Sequence, residues 1–132
     1  MKKLIISLIF LLTLVTSVFA GEKTFTKYTG KTSKDIELAK TVYEMGKKSG
    51  VVAVEVEESI MIVHVTQALY RNMFYDRVSG NSLMRSWHKL IAQHYSKHNI
   101  GTVWLYVSGQ KVAECINKGF FATEVVVRWL DD

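Results

Sequence analysis

An α+β fold is predicted: two layers, about five largely antiparallel strands, and two main helices on one face. Three features predict it. Two segments repeat apolar residues at helical spacing, several others alternate β-branched with polar residues, and no proline interrupts any of them. The segments follow the order helix, two strands, short helix or loop, helix, three strands. Antiparallel layers of this kind bury one face and leave the other wet, so the helices are expected to stack together on the buried side.

Ahead of these elements lies a stretch of different character. Met1-Lys2-Lys3 is positive, Leu4 to Val18 carry no charge, and Val18-Phe19-Ala20 places small residues one and three positions before Gly21. That order is expected of a cleavable secretory signal spanning 1–20. The apolar run of about 15 residues falls short of the ~20 that a spanning helix needs, so no stable membrane span is expected after cleavage. The expected location is outside the cytoplasm, in a periplasm or beyond the cell. Removing the signal leaves about 112 residues, enough for one domain with one core. Residues 21–33 read as an extended lead segment, and residues 34–132 as the domain itself.

The first helix is expected from about Ser33 to Lys48. Thr32 or Ser33 caps it, Asp35 and Glu37 sit in its first turn, and Gly50 stops it. Leu38, Val42 and Met45 make its apolar stripe. Val51–Glu57 and Ser59–Val65 then form a hairpin. A bend at Glu58-Ser59 sets Val56 opposite Met61, Val54 opposite Val63 and Val52 opposite Val65, all on one face. Residues 67–75 suit a short helix and 76–81 a loop around Gly80. Ser82 opens the second main helix, which runs to about His98 with Leu83, Trp87, Leu90, Ile91, His94 and Tyr95 as its stripe. The remainder reads as a meander: a strand over 102–107, a turn at 108–110, a strand over 111–116, and a loop at Asn117-Lys118-Gly119. Phe121, Val125, Val127 and Trp129 alternate along the last strand. The segments beginning at Gly50 and Gly101 resemble one another faintly, each following a helix.

Chemistry is harder to find than structure. Without Lys2 and Lys3, 15 basic residues face 12 acidic ones, dispersed through the chain, so no nucleic-acid surface is expected. His94 and His98 lie four apart, on one face of a helix, but two ligands fall short of the three or four that zinc requires. No cofactor motif is present, and no serine sits in a strained elbow. Cys115 lies among Val112, Ala113 and Ile116, as a buried inert thiol would. Glu55 and Glu57 read as a solvated strand face.

The pleat itself supplies the remaining signal. If Val103, Leu105 and Val107 face the helices, Trp104 and Tyr106 point the other way and join Ile60, Ile62, His64 and Val112 on the uncovered side. Apolar surface left there marks a partner site unless the lead segment or residues 67–76 fold over it. The favoured expectation is an exported, non-enzymatic module that binds a protein partner or itself, through this aromatic-apolar face or through a strand edge. Two alternatives stand beside it: a small envelope hydrolase or metal-dependent enzyme using the helix histidines, and a binder of anionic lipid or polymer.

Overall fold

A computed structural model describes residues 27–95 and 100–130. The signal at 1–20 and the first part of the lead segment, 21–26, lie outside the described residues, as does His98. Within them the chain forms β1 (Tyr28–Gly30), α1 (Ser33–Gly46), β2 (Val51–Glu57), β3 (Ile60–Val65), α2 (Gln67–Tyr75), α3 (Arg77–His94), β4 (Thr102–Val107), β5 (Gln110–Lys118) and β6 (Glu124–Trp129). The two-layer α+β arrangement is as expected.

The sheet has six strands rather than five, laid side by side in chain order from β1 to β6. The extra strand comes from the lead segment, where Tyr28–Gly30 pair in parallel with Val54–Val56. The sheet is mixed, because β3 and β4 also run parallel, joined over the helical face by α2 and α3. The other three pairings are antiparallel.

Alternation along β3 and β4 builds the core. Met61, Val63 and Val65 and then Val103, Leu105 and Val107 all face the helices and are buried. The hairpin register matches expectation at Val54↔Val63 and Val56↔Met61. A bulge then breaks it, so Val51 rather than Val52 opposes Val65, and Val52 is left exposed. A second bulge between Leu105 and Tyr106 puts Lys111 opposite Tyr106 and turns Val112 toward the core. Val112 is therefore not on the open face where the sequence suggested it.

In α1 the buried positions are Asp35, Ala39 and Val42, whereas Met45 is exposed. Small residues set this rotation. A β-carbon at Gly46 would lie 2.4 Å from a Val51 methyl, so α1 sits close to β2 only because glycine is there.

Residues 76–81 are not a loop. Asp76 caps α3, accepting from the Ser79 amide at 3.3 Å and the Ser79 hydroxyl at 2.9 Å. Gly80 is helical, and a β-carbon on it would meet the Met73 carbonyl oxygen at 2.3 Å. Glycine is the condition for α2 and α3 crossing at that point, not a break in the helix. The buried stripe of α3 is Gly80, Met84, Trp87, His88, Ile91 and Ala92. Leu83 and Leu90 pack at its margin.

At the far end β5 continues to Lys118 and β6 begins only at Glu124. Phe121 thus lies in the connecting loop and not in the last strand. Gly119 (φ 97°) and Ala122 (φ 55°) adopt left-handed conformations there, and Asn117 Nδ2 donates to the Ala122 carbonyl at 3.0 Å.

Candidate interaction surface

All the helices lie on the face that holds the buried core, including α2, whose Leu69, Tyr70 and Met73 belong to that core. Among the described residues, the opposite face carries no helix. Residues 67–76 do not fold over it, and Tyr28–Gly30 of the lead segment only extend its edge. Ile60, Ile62, His64, Trp104 and Tyr106 all project from this open face, as the alternation requires. Register brings them into contact rows: Ile62 beside Trp104, and His64 beside Tyr106.

One row crosses five strands, Glu55–Ile62–Trp104–Glu114–Arg128. Its centre is apolar and its ends are charged. His64 Nε2 contacts Glu55 Oε2 at 2.5 Å, and this hydrogen bond holds the Glu55 carboxyl below its usual range. The His64 and Tyr106 rings lie 5.4 Å apart. On the other flank the Lys111 ammonium sits 4.6 Å above the Trp104 ring and 2.8 Å from Glu114, whose second oxygen meets Arg128 Nε at 3.2 Å.

The four apolar side chains of the ridge are half-buried, not fully exposed. The patch is accordingly shallower than the sequence implied, because neighbours on the pleat and the Lys111 stem cover part of it. Two hollows flank it. One, of about 420 Å³, is lined by Lys31, Glu57, Ile60, Ile62 and Trp104. The other, of about 550 Å³, is lined by Thr29, Glu55, His64, Ser108 and Gly109. Such a surface offers apolar contact, aromatic stacking and charged hydrogen-bonding groups.

The histidines of α3 are placed differently. His94 Nε2 lies 3.0 Å from Asp35 Oδ1, and the Tyr95 hydroxyl donates to that same oxygen at 2.6 Å. Asp35 is 2% exposed, and its other oxygen accepts from the Thr32 amide at 3.3 Å. Burial alone would raise its pKa. The Tyr95, His94 and Thr32 hydrogen bonds reverse that and hold the carboxyl below its usual value. Burial and the bond to Asp35 push the Tyr95 phenol up to about 12. His94 is therefore part of a clasp joining the start of α1 to the end of α3. Among the described residues, no three His, Cys, Asp or Glu side chains are grouped where they could share a metal ion. His88, which the sequence reading passed over, is buried with Nε2 at 2.7 Å from Asn117 Oδ1, the same oxygen that accepts from the Gly101 amide. Cys115 is fully buried, and burial pushes its thiol up to about 11.

Of two further exposed features, one escaped the sequence reading and the other was expected only as a strand edge without a place. Phe120 and Phe121, 94% and 77% exposed, pack edge to face at the tip of the β5–β6 hairpin. The signal for them was Gly119, which marked the turn but not its length. The second is the free side of β6, which in described residues pairs with β5 alone.

No family model, curated protein or solved structure matches the chain. Among the described residues, no helix is long and apolar enough to cross a membrane.

Proposed function

We propose that this chain is an exported, non-enzymatic binding module that engages a protein partner through the open face of its sheet. The observation that carries the reading is the ridge Ile60, Ile62, Trp104 and Tyr106, seated on the two central strands, uncovered by any helix among the described residues and flanked by charge on both sides. A half-exposed tryptophan and tyrosine surrounded by paired charges have the composition of a recognition core with a polar rim. The charges also argue against a polyanion site. Lys31, Lys47 and Lys111 pair with Glu58, Glu44 and Glu114, and Arg128 shares Glu114. Export rests on the leader composition at 1–20, and protein isolated from cells is expected to begin at Gly21.

Site-specific photocrosslinking in the producing cell tests the reading. A benzophenone side chain at position 106 is expected to capture a discrete protein, while the same group at Lys40, exposed on α1, captures none. Trp104→Ala should reduce that capture by about thirtyfold, the effect of removing an interface anchor worth about 2 kcal/mol. Capture from position 40 and not from position 106 would overturn the proposal.

A further inference from the structure

We infer that two copies of this chain pair through the free edge of β6, antiparallel about a two-fold axis at Val126, joining their sheets into one. The inference goes beyond the face-binding reading and stands on a different set of atoms.

Backbone polarity comes first. The Leu130 amide bonds to the Val112 carbonyl, so Leu130 and, by alternation, Arg128, Val126 and Glu124 turn their amides and carbonyls toward β5. Val125, Val127 and Trp129 turn theirs outward. Arg85 confirms the sense, because its guanidinium reaches round to donate to the Val125 carbonyl at 2.7 Å. That carbonyl keeps a second lone pair. The edge is six residues long with no proline or bulge against β5, whereas the opposite edge of the sheet, β1, has only three residues. Long unbulged edges are the ones that recruit another strand.

The side chains then select the partner and the register. The strand reads Glu124-Val-Val-Val-Arg128, with opposite charges at equal distances on either side of Val126. If Val126 of one copy opposes Val126 of the other, Glu124 faces Arg128 twice, and Val125 faces Val127 twice with their outward amides and carbonyls matched. Neighbouring strands extend the agreement. Within one chain Glu124 pairs with Lys118, and Arg128 with Glu114. Across the axis the row would run Lys118, Glu124, then Arg128 and Glu114 of the second copy, alternating in sign throughout. The row on the axis is Ile116, Val126, Val126, Ile116, apolar throughout. Shifting the register by two residues sets Val126 against Arg128 and loses both charge pairs. Opposite charges across strands stabilise and like charges destabilise, so the strand is written to pair with itself. The axis is normal to the sheet. Both open faces therefore lie on the same side of the joined sheet, and the two Trp104 ridges present themselves to one bivalent target.

The test uses charge exchange and sedimentation equilibrium on the protein purified from the producing cell. The wild-type chain is expected to dimerise in the micromolar range, as suits an edge contact smaller than a standard interface. Glu124→Arg alone and Arg128→Glu alone place like charges at both crossings and should each weaken the dimer by about tenfold or more. Mixing the two variants restores both attractive crossings and should return a heterodimer. If either exchange unfolds the chain by circular dichroism, Val126→Lys, which sets two ammonium groups together on the axis, must give a folded monomer. A wild-type chain that stays monomeric at about 100 µM, well above that range, would overturn the inference and leave the face proposal intact. A dimer indifferent to all three edge changes but lost in Trp104→Ala would also overturn it, assigning self-association to the open face instead.

Discussion

Replacing Asp35 by asparagine removes one charge and almost no volume. The carboxylate is 2% exposed and accepts from the Tyr95 hydroxyl, the Thr32 amide and, at 3.0 Å, meets His94 Nε2. Hydrogen bonds to a charged acceptor are worth about 1.5–3 kcal/mol each against about 1 for neutral ones. Turning the Tyr95 and Thr32 bonds neutral, and setting an amide NH₂ against a donor, should cost about 2–3 kcal/mol. For a domain of this size each kcal/mol shifts the melting temperature by about 4–8 °C, so a fall of about 10–20 °C is expected at pH 7. The pH dependence has a fixed sign. The folded carboxyl titrates below its ordinary value of 3.8, so its contribution is present above that value and is lost as pH falls through the folded pKa. Urea titrations of wild type and Asp35→Asn should differ fully at pH 7, and the gap should narrow as the pH falls below 3.8 through the folded carboxyl's lowered pKa. A gap that never narrows on acidification below 3.8 while both proteins stay folded, or no gap at pH 7, would refute the assignment of Asp35 as a charged clasp.

Other expectations follow from packing and burial. Gly80→Ala should destabilise by about 2 kcal/mol or more in thermal melts, despite the better helix propensity of alanine, because its β-carbon has nowhere to go beside Met73. Gly109→Ala is the control for strain without collision: its φ of +80° has open space around it, and the loss should stay near 1 kcal/mol. Cys115 should react with a chromogenic disulfide at pH 8 only as fast as the domain opens, since the thiol is buried and titrates near 11. Labelling at the rate of a free thiol in native protein would contradict that burial.

Periodicity along the chain located nearly every helix and strand, because each depends on which residues one face must bury. The sequence was least informative where one backbone approaches another. Nothing local marks Gly80 as a contact point between α2 and α3; its side-chain absence reads equally as a loop. The bulges at Val51/Ala53 and Leu105/Tyr106 are of the same kind: one extra residue reverses the facing of Val52 and Val112, and alternation alone does not reveal it. β1 was missed because three residues carry no period. The open-face residues were legible, since Trp104 and Tyr106 must oppose Leu105 wherever Leu105 is buried. Asp35 was not. A carboxylate in a helix's first turn is expected to cap it, and Asp35 does complete a capping box with Thr32. Its partnership with His94 and Tyr95, some 60 residues downstream, depends on the fold.

Strands that neighbour one another in space in the order of their synthesis have a kinetic consequence. Each new strand docks on one already formed, so no late segment must thread between two earlier ones. With no proline anywhere in the chain, the slow imide isomerisation that delays many domains has no bond to act on. A polypeptide released from its amino end could assemble progressively, and its last strand, β6, would be the final edge to close.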